Sequence, residues 1–124
     1  MDPLGPLPPP ITTNPPPSDV WVQNWPSPGQ GFYNTLKREY RQLQRSEQEG
    51  QVTVMRYHSP GGDVIHVFDV FLHKPSDTVI LHGADGTHPC VVVAQVQSAQ
   101  VIMKIIPAPE EEEARKPIGF EVRN

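Results

Sequence analysis

Five histidines, His58, His66, His73, His82 and His88, and one cysteine, Cys90, carry the most versatile chemistry in this chain. A metal centre needs ligands that return to one point, such as histidines at i and i+4 on a helix or paired Cys-x-x-Cys units. The histidines here are scattered over strand-like and turn-like segments, none at such spacing. A lone cysteine excludes both a cysteine-based zinc site and a disulfide framework. His88 stands two residues before Cys90, but neighbours in one extended segment rarely meet as a nucleophile and its base. Gly61-Gly62 and Gly83-Ala84-Asp85-Gly86 lack phosphate-loop spacing and read as turns. Asp69 shares its strand with Ile65, Val67 and Phe71. A carboxylate in that setting must be paired or exposed, so it marks either a bend in the strand or an acceptor facing a neighbouring subunit. No catalytic set emerges, and neither a metal nor a cofactor is expected. The chain reads as a non-enzyme.

Binding chemistry is better represented. Lys37, Arg38, Arg41 and Arg45 fall on one segment with Asn34, and such a cluster suits a nucleic-acid backbone, whose affinity comes mainly from neutralised phosphates. Glu39, Glu47 and Glu49 partly offset them, so an ordinary solvated helix face is the alternative. Gln97 and Gln100, with Ser98 between them, offer amides and a hydroxyl for base-edge hydrogen bonds, or make a simple polar turn.

The elements that must position these residues follow from periodicity. Residues 32–49 contain no proline or glycine, and Phe32, Leu36, Tyr40 and Leu43 recur at helical spacing. They predict one amphipathic helix with a basic outer edge, stopped by Gly50. After Gly50 the period becomes two. Strands are predicted over 51–59, 64–73, 78–82, 90–96 and 100–106, with turns at 60–63 and 74–77 and a glycine-containing loop at 83–89. Five short strands are too few for two packed sheets. They suit a small, strongly bent barrel with the helix over one open end.

The flanks differ in composition. Of 16 prolines, ten lie before residue 31. Residues 1–31 therefore read as a proline-rich disordered arm that favours polyproline II and offers a docking ligand to a protein partner. Trp21 and Trp25 interrupt it and are candidates to pack on the domain. Residues 108–124 read as an acidic disordered tail. It holds five glutamates against Arg115, Lys116 and Arg123, and the arm adds Asp2 and Asp19, so the net charge of −4 belongs to the flanks. That balance excludes a uniformly basic coat protein but not a basic face. The 124-residue chain is one domain, 32–107, whose small core favours oligomerisation. No apolar run approaches the roughly 20 residues needed to cross a bilayer, and Asp2 with the early prolines does not fit a signal peptide. With a single cysteine, a soluble cytoplasmic protein is expected.

The order of elements resembles the Sm-like fold, and more narrowly the Hfq family of bacterial RNA chaperones. Phe32-Tyr33-Asn34-Thr35-Leu36-Lys37-Arg38-Glu39 resembles that family's Phe-Leu-Asn-x-Leu-Arg-Arg-Glu signature. Asp77-Thr78-Val79-Ile80-Leu81 resembles its Asp-Gln/Asn-Phe-Val-Ile-Leu stretch, and Val101-Ile102-Met103-Lys104-Ile105-Ile106-Pro107 its last strand. The resemblance implies a Sm-like barrel that assembles into a homo-oligomeric ring and binds single-stranded RNA. It further implies that strand four of one subunit pairs with strand five of the next, which assigns Val91, Val92, Val93, Val101 and Met103 to the interface. Val91–Val93 are apolar on both faces of their strand and need cover on both. Asp77 and Thr78 fall where the family contacts bases. Ser98-Ala99-Gln100 stand where the family has a Tyr-Lys-His pore motif, so the ring, cation and imidazole used there are absent. Base stacking on an aromatic is worth about 1–3 kcal/mol per base. RNA is therefore expected mainly on the helix rim, through Asn34, Lys37, Arg38 and Arg41. The alternatives are a protein-interaction adaptor and a viral or phage structural protein on the same small barrel.

Overall fold

The computed structural model describes residues 25–110 and 116–124. Most of the expected proline arm, including Trp21, and the central glutamates of the expected tail lie outside the described residues. One helix, α1 (Pro28–Gln44), precedes six strands: β1 (Gln51–His58), β2 (Val64–His73), β3 (Thr78–Asp85), β4 (His88–Ala94), β5 (Gln100–Pro107) and β6 (Gly119–Arg123). The protein is mainly β, in one sheet.

The helix starts four residues before the apolar periodicity does. Pro28 is tolerated at the first helical position, where its missing N–H would be unpaired anyway. The Gly29 and Gln30 N–H groups donate to the carboxylate of Asp77, at 2.9 and 3.2 Å, and the Ser27 hydroxyl donates to it as well. Gly29 must be a glycine, because a Cβ would run into the Asp77 carbonyl and carboxylate oxygens. A cap supplied from a distant turn thus converts a Pro-Gly-Gln-Gly stretch into a helix. The helix ends at Gln44 rather than residue 49. Its buried stripe is Tyr33, Leu36 and Tyr40, with Phe32 and Leu43 only half-buried, so the apolar face is turned relative to the one that spacing alone picks out. Trp25, just ahead of the helix, is 65% exposed and does not pack on the domain.

The sheet path is β4-β3-β2-β1-β5, with neighbours antiparallel, and β6 adds to β2 in parallel. It does not close on itself. β4 and β5 end the path, and no pairing joins them among the described residues. The expected 83–89 loop shrinks to Gly86-Thr87, because β3 and β4 stay in register from Val79↔Ala94 to Asp85↔His88. Gly86 at φ 63° makes the tight turn possible. Gly83 is a strand residue, needed where β3 crowds β2: a Cβ there would strike the His66 carbonyl oxygen.

β2 bends at that point. Its register against β3 shifts between Val67 and Asp69, leaving Phe68 as the extra residue of a bulge. On its other edge β2 pairs with β1 only up to Met55↔Val67, and with β6 from Asp69↔Gly119 onward. The bulge is thus where β2 exchanges one neighbour for another. Asp69 marks the bend, half-buried with its carboxylate close beside Gly119. β1 is left with an unpaired stretch. Glu47 covers it, its carboxylate accepting from the Thr53 N–H at 2.8 Å and the Thr53 hydroxyl at 2.6 Å.

β6 corrects the reading of 108–124 as a disordered tail. Phe120 packs against Tyr33 and Tyr40, with ring centroids 5.9 and 5.7 Å apart, and the Ile118 N–H donates to the Tyr40 hydroxyl at 3.0 Å. Burial of one aromatic and pairing with an otherwise open edge offset the ordering of a short strand. The core lies between α1 and the sheet, where Tyr33, Leu36 and Tyr40 meet Met55, Val67, Val70, Leu72, Val79 and Leu81.

Candidate nucleic-acid interface

Three cations of α1 and Arg45 at its C-terminal cap share one surface. Spaced at 37, 38, 41 and 45, they project from the side of the helix away from Phe32, Leu36 and Leu43, and with Asn34 they line a shallow groove. Arg38, Arg41 and Arg45 are exposed. Arg38 Nε lies 3.4 Å from Glu39, a solvent-exposed pair of little energetic weight. Lys37 sits over the Tyr33 ring at 5.9 Å. No carboxylate lies within ion-pair distance of Arg41 or Arg45 among the described residues. Asn34 accepts a hydrogen bond from the Gln30 side chain at 2.9 Å. The Tyr33 hydroxyl under this surface titrates above its ordinary range, raised chiefly by burial, with the Arg41 charge opposing. Tyr40 is likewise raised by burial, and the Ile118 N–H it accepts pulls the other way.

The remaining residues singled out in the sequence fall elsewhere. Gln97 and Ser98 form the β4–β5 turn, where Ser98 N–H and Ala99 N–H donate to the Gln95 carbonyl at 3.0 and 2.8 Å. Gln100 opens β5 and faces a groove along the opposite flank of α1, with Thr35, Glu39, Leu43 and Met103. The structure therefore does not bring Gln97, Ser98 or Gln100 to the basic groove. Asp77 sits in the left-handed region at φ 52°, a conformation aspartate tolerates, with its carboxylate committed to the head of α1. Those donors, the Ser27 hydroxyl foremost, hold its pKa below the ordinary carboxylate range. Thr78 donates to the Ser76 carbonyl at 3.1 Å. Gln30 links the two ends of this region, bonding Asp77 through its backbone and Asn34 through its side chain.

The edge strands are exposed as well as unpaired. Val91 and Val93 on β4 are 59% and 69% exposed, while Val92 between them packs on the core. Val101 and Met103 on β5 are half-buried against the core, with Ile102 pointing outward. Among the described residues no group of three histidine, cysteine or carboxylate side chains could hold a metal ion, and no helix is long and apolar enough to cross a membrane.

Sequence reasoning missed Asp77 as a cap, Glu47 as the cover of β1, and the pairing of Arg56 with His66 beside the bulge. Each depends on a partner far away in sequence. Only the alternation in Val52–His58, which turns Arg56 to the face opposite Met55, hinted at the last. Comparison with family models, with curated proteins and with solved structures finds no match.

Proposed function

We propose that the chain is a Sm-like, non-enzymatic protein of the cytoplasm that assembles into a homo-oligomeric ring and binds single-stranded RNA along a rim of α1 helices. The observation that carries this reading is the shared groove of Asn34, Lys37, Arg38, Arg41 and Arg45, whose last two cations have no carboxylate partner among the described residues. The strand order β4-β3-β2-β1-β5 after a leading helix supports a bent, Sm-like half-barrel completed by a neighbour. β4 carries exposed valines at one end of the path and β5 an exposed isoleucine at the other, so pairing β4 of one copy with β5 of the next covers both edges. Ring closure repeats the basic groove around one rim, and a single RNA strand then meets several copies in avidity. Asp77 serves this site by fixing the head of α1 rather than by touching a base.

The test is titration of the full chain with a single-stranded RNA at several salt concentrations. Each phosphate neutralised on a single strand contributes a slope of about −0.7 in log K against log salt. The double substitution Arg38→Ala, Arg41→Ala removes two contacts and flattens the slope by about 1.4 for each copy engaged. An unchanged slope and affinity would leave the helix out of the interface. A protein-interaction adaptor is the second reading, favoured by the exposed Trp25 at the exit of the proline-rich segment. It is supported if RNA binding is absent at physiological salt.

A further inference from the structure

α1 reaches further than the sheet beneath it. Tyr33 and Tyr40 of its buried stripe pack toward Phe120 of β6. Phe32, Leu36 and Leu43 form a second apolar line, at i, i+4 and i+11, on the flank toward β5. Leu36 is buried, but Phe32 and Leu43 are only half-buried. They border an open groove whose other wall is Ala99, Val101 and Met103. β5 pairs with β1 alone, so no strand continues the sheet under this flank among the described residues. Apolar side chains over an open sheet edge keep a contact with water that one more strand would remove.

β4 has the complementary lack. α1 packs on β1, β2, β3 and β5, and β4 stands outside that set at the far end of the sheet path. Cys90, Val92 and Ala94 pair with Gly83, Leu81 and Val79, so they face the side on which α1 lies. Ala94 is buried, whereas Cys90 and Val92 are half-buried at the margin of the helix's cover. One copy thus has a helix flank short of a strand and a strand short of a helix. We propose that the β5 flank of α1 is an intersubunit clasp that holds β4 of a second copy, with Cys90 and Val92 of that copy against Phe32 and Leu43. The inference rests on the ring reading and asks more of it. Backbone pairing of β4 with β5 joins only two strand edges. The clasp adds that α1 covers the neighbour's β4, so that one apolar core runs from each copy into the next. A head-to-tail contact of this kind repeats at every junction of a closed ring. It gives α1 two partners at once, RNA on its cationic side and a second copy on its apolar flank.

Cys90 is the only cysteine of the chain and reports the clasp without any substitution. In the assembled full chain its thiol should react with a colorimetric disulfide reagent at least about a hundredfold more slowly than in the same chain unfolded in urea at the same pH. A thiol left half-exposed, as in a single copy, would react within about tenfold of the unfolded rate. Leu43→Glu keeps a good helix former but places a charge in the groove. The variant should keep the wild-type far-ultraviolet spectrum, lose the assembled mass at micromolar concentration and expose Cys90. If Cys90 of the assembled wild type reacts within about tenfold of the unfolded rate, the clasp is wrong while the ring stands. The same holds if Leu43→Glu keeps its spectrum and assembles as the wild type does. A wild type that is monomeric throughout overturns both, and leaves the groove to a segment ahead of Trp25 or to a foreign peptide. The thiol measurement on the wild type decides the matter even should Leu43→Glu not fold.

Discussion

Replacing Phe120 by alanine should detach β6 from the sheet. Phe120 is half-buried, and its ring lies at 79° to Tyr33 and 48° to Tyr40 at under 6 Å from both. Removing a fully buried phenylalanine costs about 3–5 kcal/mol. Half-burial halves that figure, and two aromatic pairs at about 0.5–1.5 kcal/mol each restore part of it. The expected loss is about 2–3 kcal/mol. For a domain of this size each kcal/mol lowers Tm by about 4–8 °C, so the variant should melt roughly 10–20 °C earlier. Urea unfolding measures the free energy, and native-state hydrogen exchange measures its location. Amides of β6 and Ile118 should lose protection by local opening, while the β1–β5 ladder should lose no more than the global change. A loss under about 0.5 kcal/mol, or uniform exchange across the sheet, would refute the view that one aromatic holds the last strand.

Asp77→Ala should fray the head of α1 and remove a pH dependence. The Asp77 pKa is depressed in the fold from its ordinary 3.8, so its contribution is fully present above that value. It is lost as pH falls through the lower folded value, because the unfolded chain takes up the proton first. Urea midpoints measured from neutral pH down past 3.8 should fall less steeply for the variant than for the wild type. Gly83→Ala places a methyl against the His66 carbonyl oxygen at the bulge. It should destabilise by at least about 2 kcal/mol, as overpacking does, whereas an unchanged midpoint would mean β2 and β3 can separate there.

Much of the sheet was legible because its pattern is local. The apolar-rich runs of β1 and β2 are bounded by Gly50 and by turn residues at 60–63 and 74–77, so their limits are predicted to within a residue. The helix was legible in type but not in limits, because its start depends on Asp77, far along the chain. β6 was hidden by composition: a run of glutamates and a proline precede a five-residue strand whose stability comes from Phe120 meeting two tyrosines. The basic groove could be read from spacing alone, since positions 34, 37, 38, 41 and 45 lie on one side of any helix. That Gln100 sits on the other flank follows from how β5 packs against α1, which no local signal encodes.

The proposed ring requires β4 of one copy to pair with β5 of the next. The mass of the full chain in solution at micromolar concentration, measured by native mass spectrometry, tests it most directly. A single closed species at a fixed whole-number multiple of 13.8 kDa is expected. A monomer of 13.8 kDa, with Val91 and Val93 still open to solvent, would contradict it.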